Sequence, residues 1–292
     1  MKRKVFIQNI IAASALGIGF PSLLTAIGRK ATNADSKKIM EQIDYSNASI
    51  KEDKTMKTVL HKAETRGNAN HGWLDSHHTF SFANYQNPER MHFGVLRVLN
   101  DDVVAPGKGF GRHPHDNMEI ISIPLEGDLE HKDSMGNNGV IKEGDIQVMS
   151  AGTGISHSEY NKNDDQEVKF LQIWIFPNKK NVEPRYDQAS LKKIATKNSF
   201  YQVLSPNPED LGVWIHQDVW FHMANFDKGV NETYGIKKEG NGVYTFILEG
   251  EVVINGQALN KRDGYGIWDV EQIEVVSKTE ARILLMEVPM KL

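Results

Sequence analysis

Cysteine is absent from this chain of 292 residues. Its absence excludes disulfides, cysteine-ligated zinc, iron–sulfur clusters and thiol nucleophiles, so any metal site must use histidine and carboxylate ligands. A positive charge excess is also lacking, because 34 Lys and Arg face 38 Asp and Glu, for a net charge of −4. This balance argues against nucleic acid as a partner. Histidine, in contrast, is plentiful, with 11 residues.

Acidic residues are missing from the chain before Asp35. A basic start at residues 2–4 precedes an uncharged, largely apolar run over residues 5–28, which is the layout of an export signal. The sequence therefore predicts a signal peptide over residues 1–31 and a polar leader over residues 32–55. We expect a periplasmic protein without stable membrane insertion after cleavage. The basic start also resembles a twin-arginine signal in which one arginine is replaced by lysine, and an uncleaved N-terminal anchor is the alternative.

Helical periodicity is scarce beyond residue 56, and we expect it only in short stretches such as residues 187–196. Short apolar or alternating runs bounded by Gly, Asn, Asp or Pro dominate instead, over residues 120–123, 140–141, 146–149, 170–175 and 243–248. Closely spaced runs of this kind, with turn residues between them, are typical of an all-β barrel or sandwich.

A short internal repeat predicts two copies of one β-domain. Leu125-Glu126-Gly127-Asp128-Leu129 recurs as Leu248-Glu249-Gly250-Glu251-Val252, 123 residues later in the chain. In both copies an apolar run leads into an acidic-Gly turn and a second apolar residue. The spacing fits a duplicated domain of ordinary size. We therefore place the first domain at residues 56–180 and the second at residues 181–292.

Two pairs of chemically active residues lie in the first copy. His113 and His115 are two positions apart, and His157 and Glu159 repeat the spacing. On a strand, positions i and i+2 point to the same face, so each pair can reach one ion. A lone His-x-His is often only a surface feature, but a second pair just after the turn at residues 152–154 favours a metal site. Three imidazoles and a carboxylate suit Fe(II), Mn(II), Co(II), Ni(II), Cu(II) or Zn(II).

These residues resemble the two motifs of the cupin family. The first cupin motif matches at Gly107, His113, His115 and Glu119, and the second at Gly144, Gly152, His157 and Asn161. The departures from both motifs resemble one branch, the pirins. That resemblance covers about residues 57–290 and is carried by segments in family order: His71–Ser76, His78–Ala83, Leu96–Val98, His113–His115, Leu125–Gly127, His131–Ser134, Met149–Gly152 and Ile155–Glu159. It is strongest to short bacterial pirin-like proteins with quercetin 2,3-dioxygenase activity.

The resemblance implies a bicupin, with two cupin barrels in one chain and a metal in the N-terminal barrel alone. The implied ligands are His113, His115, His157 and Glu159. Glu159 is also the implied catalytic general base, and Glu119 is its rival as the fourth ligand. Fe(II) is the first choice of metal, with Mn, Co, Ni, Cu or Zn as alternatives. An offset of 123 residues places Ile236 and Lys238 at the first two ligand positions of the second copy, so we expect no metal there.

The resemblance further implies a dioxygenase that cleaves a flavonol such as quercetin with O2 and releases carbon monoxide. We separately expect the protein to be a monomer. Two alternatives remain open, namely a non-enzymatic, redox-responsive metal-binding protein and a cupin enzyme of other specificity. We expect the remaining histidines of interest to be hydrogen-bonded or surface residues, with the first three near the cavity mouth: His71, His77, His78, His131, His216 and His222. Four aromatic residues are candidates for a pocket lining or for ordinary core: Trp73, Phe80, Phe82 and Phe110.

Overall fold

The computed structural model describes residues 55–292, which form 22 strands and two short 3-10 helices, at Ala63–Thr65 and Leu191–Lys193. This composition confirms the all-β prediction. None of the helices in this described part has the length and apolar character needed to cross a membrane. The predicted signal peptide, and the predicted leader up to residue 54, lie outside the described residues.

The strands follow each other closely along the chain. The first eleven are β1 (Lys57–His61), β2 (Gly67–Asn70), β3 (Leu74–His78), β4 (Leu96–Val104), β5 (Gly109–His115), β6 (Glu119–Glu126), β7 (Leu129–Asp133), β8 (Asn138–Ile141), β9 (Asp145–Ser150), β10 (Ile155–Asn161) and β11 (Val168–Ile175). The second eleven are β12 (Arg185–Ser190), β13 (Tyr201–Ser205), β14 (Val213–Trp214), β15 (Trp220–Phe226), β16 (Asn231–Gly235), β17 (Asn241–Glu249), β18 (Val252–Ile254), β19 (Gln257–Leu259), β20 (Gly264–Trp268), β21 (Gln272–Ser277) and β22 (Ala281–Pro289).

Each half of the described chain contributes six strands of a seven-stranded sheet and the whole of a four-stranded sheet. The first half has the orders β12-β9-β6-β11-β4-β3-β2 and β5-β10-β7-β8, and the second has β1-β20-β17-β22-β15-β13-β14 and β16-β21-β18-β19. The two sets match strand for strand except at the outer edge, where β2 and β3 are antiparallel but β13 and β14 are parallel, so the duplication predicted from the short repeat is confirmed. The repeat itself forms the β6–β7 and β17–β18 turns, where Gly127 and Gly250 take φ values of 74° and 82°. Side chains with a Cβ rarely adopt this left-handed conformation.

One edge strand of each large sheet comes from the other half of the chain. β1 precedes the first barrel in sequence but pairs antiparallel with β20 of the second, from Lys57↔Trp268 to His61↔Gly264. β12 follows the first barrel and pairs with its strand β9, from Arg185↔Ser150 to Ser190↔Asp145. The exchange is reciprocal, so each barrel is completed by main-chain hydrogen bonds to the segment that leads into the other.

The prediction of a helical stretch over residues 187–196 is wrong for most of these residues. Residues up to Ser190 belong to β12, and only Leu191–Lys193 form a single 3-10 turn. The sequence pattern was overridden by tertiary pairing, because the free edge of β9 offers Asp187 and its neighbours a ladder of hydrogen bonds.

The two large sheets share the largest apolar cluster of the described residues. Ile121, Ile123 and Leu171 of the first sheet join Phe221, Phe246 and Leu284 of the second in this cluster. β6 is consequently buried along nearly all its length, with one face toward its own barrel and the other toward the second. A strand buried on both faces reads as a continuous apolar run, which explains why this one is conspicuous in the sequence.

Candidate metal centre

Three imidazoles meet inside the first barrel. β5 and β10 pair antiparallel with His157 directly opposite His113, and His115 follows two positions along β5. The ring centroids are 4.5 Å apart for His113 and His157, 4.9 Å for His113 and His115, and 5.0 Å for His115 and His157. One ring nitrogen from each residue lies within 4.8 Å of the others. The i, i+2 spacing therefore brings the three predicted histidines together.

A bulge in β5 changes which side chains of this strand face the barrel interior. His157 pairs with His113, but Glu159 pairs with Phe110, so two residues of β5 stand opposite Ser158. A bulge of this kind shifts the alternation of side chains by one position. As a result both Phe110 and His113 line the same cavity although they are three residues apart.

The hydrogen bonds of the histidines suit metal coordination. His113 Nδ1 lies 2.7 Å from the carbonyl oxygen of Gly111. Because a carbonyl only accepts, Nδ1 carries the proton and Nε2 is free to bind an ion. Both ring nitrogens of His157 are buried without a partner in the described structure. A metal ion bound by one of these nitrogens would supply one of the two missing partners.

Burial, with the neighbouring imidazoles as the next cause, lowers the pKa of His157 to about 3 and that of His115 to about 4. Both rings are therefore neutral at pH 7 and can donate a lone pair. The donor set of this site fits a divalent transition metal, since neutral imidazole is a suitable ligand for several of them.

Glu159 is completely buried beside the histidines. Ser122 Oγ donates a hydrogen bond to its Oε1 at 2.9 Å, and Gln172 Nε2 donates to its Oε2 at 3.4 Å. Its ligand atoms cluster with those of His157 and His131, within 4.8 Å of one another. His157 thus belongs to two overlapping groups, one with His113 and His115 and one with Glu159.

His131 is the member of the centre that the sequence analysis missed. It was expected to be a hydrogen-bonded or surface residue, and it is hydrogen-bonded; it is also fully buried, and its ring centroid lies 5.3 Å from that of His157. Its Nε2 lies 3.3 Å from Asp133 Oδ2, and its Nδ1 has no partner in the described structure. The signal available in the sequence was the spacing of His131 and Asp133 on one strand, β7. This strand pairs with β10, where His131 stands opposite Glu159.

Glu119, the rival fourth ligand, lies outside both groups. It is three positions from Ser122 on β6, so its side chain points to the opposite face of the sheet from the side chain that bonds Glu159. There Ser150 Oγ donates to Glu119 Oε2 at 2.6 Å. Burial raises the pKa of Glu119 to about 7. Strand alternation therefore favours Glu159 over Glu119 as the carboxylate of this centre.

A cavity of about 310 Å³ opens beside His113 and His115. Phe82, Phe110 and Trp174 supply flat apolar surface, and the Trp174 ring lies 5.0 Å from that of His115. The four candidate aromatic residues divide accordingly. Phe82 and Phe110 line the cavity, Trp73 packs against Phe110, and Phe80 belongs to the cluster between the sheets.

Apolar side chains occupy the equivalent positions of the second barrel. The two barrels are aligned through their equivalent turns and strand registers. Tyr234 and Ile236 then take the positions of His113 and His115. Ile273, Val275 and Ile254 take those of His157, Glu159 and His131, respectively. This corrects the equivalences drawn from a constant offset. The offset between equivalent residues is 121 at the β5 positions, 123 at His131 and 116 at His157 and Glu159, because the connections between equivalent strands differ in length.

Two matched barrels, with a histidine-rich centre beside a cavity in the first, define a bicupin. Family models agree: one described as Pirin matches residues 59–175, and one described as the quercetinase C-terminal cupin domain matches residues 202–288. The protein named quercetin 2,3-dioxygenase from Escherichia coli (strain K12) is 44% identical over 230 residues, covering 79% of this chain and 98% of that protein. This chain belongs to the pirin family.

Other relatives agree with this membership. A putative quercetin 2,3-dioxygenase of Zymomonas mobilis, ZMO1337, is 41% identical over 221 residues, covering 75% of this chain and 93% of that protein. The crystal structure of the bacterial pirin YhhW from Escherichia coli, in complex with nickel(II), matches with a TM-score of 0.76 and 42% identity. That match covers 80% of this chain and 99% of the YhhW chain.

Proposed function

We propose that this protein is a metal-dependent dioxygenase that opens the central ring of a flavonol such as quercetin. The observation that carries the proposal is the cavity that places flat aromatic side chains directly beside the histidine cluster. The names of the relatives from Escherichia coli and Zymomonas mobilis support the same reaction. In that reaction both atoms of O2 enter the ring-opened product, and carbon 3 of the flavonol leaves as carbon monoxide.

The ligands in this proposal are His113, His115, His157 and Glu159. The nickel(II) complex of the bacterial pirin YhhW supports a divalent transition metal. Fe(II) is our first choice, and Mn, Co, Ni, Cu and Zn are the alternatives that the same donor set accepts. When bound, the metal supplies Lewis acidity toward the enolic 3-hydroxyl of the substrate.

The protein side chains handle the proton of that hydroxyl. Glu159 accepts it as a general base, in a buried site where the hydrogen bonds from Ser122 and Gln172 hold the carboxylate in place. Trp174 and Phe82, whose ring centroids are 5.4 Å apart, keep bulk water from the reacting ring.

The test uses purified protein reconstituted with each metal in turn. Metal content, quercetin absorbance, O2 uptake and carbon monoxide release are followed in the same sample. We expect His157→Ala to lose the metal, and Glu159→Gln to lower kcat by about 10²- to 10⁴-fold, the usual contribution of a general base. Glu119→Gln is the matched control and should keep metal and turnover. Stoichiometric metal without O2 uptake, for every metal and flavonol, would show that the proposal is wrong.

We further propose that the protein is exported to the periplasm and acts there as a monomer. The basic start at residues 2–4 and the uncharged run over residues 5–28 support export. Cell fractionation with mass spectrometry of the N-terminus tests it, and a full-length chain confined to the cytoplasm or the membrane contradicts it. Size-exclusion chromatography of the exported protein tests the monomer.

A further inference from the structure

One wall of the cavity carries polar side chains that the proposed chemistry does not use. We call it the acceptor wall, and it consists of Ser76, His78, Asn100 and Asp102 on β3 and β4. On the large sheet, His78 pairs with Asn100, and Asn100 pairs with Gln172, the donor to Glu159. Neighbouring strands lie about 4.8 Å apart, so His78 is roughly 10 Å from Gln172. Within the acceptor wall, His78 is therefore two strands away from the residue that bonds Glu159, while Asp102 is near enough to Glu159 for the two charges to interact.

Asp102 is the most unusual member of this wall. It is 2% exposed, and Ser76 Oγ donates a hydrogen bond to its Oδ1. Among residues 55–292 no cation forms an ion pair with it, because the nearby Arg66 pairs with Asp101. Burial raises the pKa of Asp102 to about 7. Burying a carboxyl with so little support costs stability, which indicates a role other than holding the fold together.

His78 is a second acceptor, and it is held rigidly. Its Nδ1 lies 2.9 Å from Asn100 Oδ1, which only accepts, so the ring proton is on Nδ1 and Nε2 keeps its lone pair. The ring packs between Phe82 and Tyr85, with centroid distances of 5.3 and 6.5 Å. Burial lowers the pKa of His78, so the neutral, accepting form prevails at pH 7.

We propose that the acceptor wall binds two adjacent hydroxyl groups on an aromatic ring, with His78 and Asp102 as the acceptors. On a flavonol this is the catechol ring, which lies away from the 3-hydroxyl. The assignment rests on the proposed function, which fixes the end of the substrate that meets the metal. The wall then determines specificity, because a site built to hydrogen-bond a hydroxyl discriminates strongly against an analogue that lacks it.

The experiment compares quercetin with galangin, the flavonol that lacks both catechol hydroxyls. We expect Asp102→Asn and His78→Phe in the metal-loaded protein each to lower the quercetin-to-galangin ratio of kcat/KM by about 10- to 100-fold. Galangin turnover should be nearly unchanged. His78→Phe keeps a flat ring against Phe82 and Tyr85 and should fold. It therefore provides a second test if Asp102→Asn does not fold. An equal loss for both substrates, or an unchanged ratio, overturns the proposal.

Glu119→Gln is the matched control for Asp102→Asn. Both carboxyls are buried, both accept one serine hydroxyl, and burial raises the pKa of each to about 7. They differ in direction, since Glu119 lies on the opposite face of the sheet from the cavity. The ratio should therefore remain that of the unaltered protein.

A binding measurement distinguishes failure of this inference from failure of the proposed function. Calorimetric titration of metal-loaded protein without O2 gives Kd for quercetin and galangin, whether or not turnover follows. If no flavonol is consumed but Asp102→Asn removes the preference for quercetin, the dioxygenase proposal fails and the acceptor wall stands. If turnover is normal and neither variant changes the preference in Kd or kcat/KM, the acceptor wall fails and the dioxygenase proposal stands.

Discussion

The two barrels have the same strand order and are packed against each other, but their interiors differ in polarity. The first contains the histidine cluster, Glu159 and a cavity. The second is filled by an apolar cluster that includes Ile254, Ile273 and Val275, at the positions of His131, His157 and Glu159. The comparison teaches that this fold does not need its polar interior, so the polar residues of the first barrel are there for a ligand.

Buried carboxylates show the same contrast. Glu287 of the second barrel accepts hydrogen bonds from the Tyr234 hydroxyl, the backbone N–H groups of Lys237 and Lys238, and Asn241 Nδ2. Four donors satisfy it and tie down the β16–β17 connection, which is a structural role. Asp102 of the first barrel has one hydroxyl donor and faces a cavity. Fully satisfied polar groups stabilise a core, whereas a partly satisfied buried group requires an explanation, and for Asp102 the adjoining cavity supplies one.

The largest effect is expected when residues of the metal centre are replaced by the apolar residues at the equivalent positions of the second barrel. We expect His157→Ile combined with Glu159→Val to abolish metal binding and turnover. Denaturant resistance should change little, because the unpartnered His157 ring is replaced by an apolar side chain while Ser122 and Gln172 lose their hydrogen bonds to Glu159. Elemental analysis and urea unfolding measure both effects. Ile273→Val in the second barrel is the control and should leave the metal in place, while metal retained by the double variant would refute the ligand assignment.

The shared interface can be tested by Phe246→Ala, which removes a fully buried ring from the cluster between the two large sheets. Loss of a buried aromatic side chain costs about 3–5 kcal/mol of unfolding free energy. Since both barrels contribute to the cluster and exchange edge strands, they should unfold in one transition, followed by tryptophan fluorescence and metal release. Leu211→Ala, at a 65% exposed position, is the control. Two separate transitions would mean that the barrels fold independently.

The second barrel holds a histidine that should make its stability sensitive to acid. Burial, with Lys237 as a smaller cause, lowers the pKa of His222 to about 4. The unfolded chain takes up this proton near pH 6.5 but the folded chain does not, so stability falls as the pH drops from 6.5 toward 4. Between pH 7.5 and 4.5 the loss is about 2–3 kcal/mol.

His222→Gln should remove this part of the acid sensitivity. Urea unfolding at the two pH values gives the difference, and His92→Gln, at an exposed position, is the control. An equal acid loss in His222→Gln and the unaltered protein would show that the buried ring takes up a proton without unfolding.

The smallest effect is expected where β1 joins the second barrel. Lys57 Nζ lies 2.9 Å from Asp269 Oδ2, but the lysine side chain is 60% exposed. Lys57→Ala should therefore cost about 0.2–1 kcal/mol, and less at high salt. Thermal unfolding at two salt concentrations checks this. A loss several times larger would mean that charge, and not main-chain pairing with β20, attaches the exchanged strand.

Much of the fold could be predicted because the strand pattern is local. The runs at residues 120–123, 146–149, 170–175 and 243–248 all lie within strands, since burial on both faces leaves little room for polar residues. The short repeat predicted the duplication because turn glycines are constrained by backbone conformation alone. The helical expectation over residues 187–196 failed because edge pairing with β9 is a long-range interaction.

The site was predictable only to the extent that i, i+2 spacing defines a face. His113, His115, His157 and Glu159 stood out by this criterion. His131 shares this spacing with Asp133, but its place beside Glu159 depends on which strand lies next to β10. Asp102 was missed for the same reason, and His78 was expected near the cavity mouth but without a role, since the two residues come together only through the pairing of β3 with β4.

The amino-acid sequence alone determined the all-β class, the duplicated barrel and the three histidines of the centre, because these follow from periodicity and spacing within single strands. The tertiary structure decided which carboxylate faces the histidines, which histidine joins them and which edge strands are exchanged. Those features depend on the register between strands far apart in the chain and on which face of the sheet each side chain occupies. No local pattern encodes either of them.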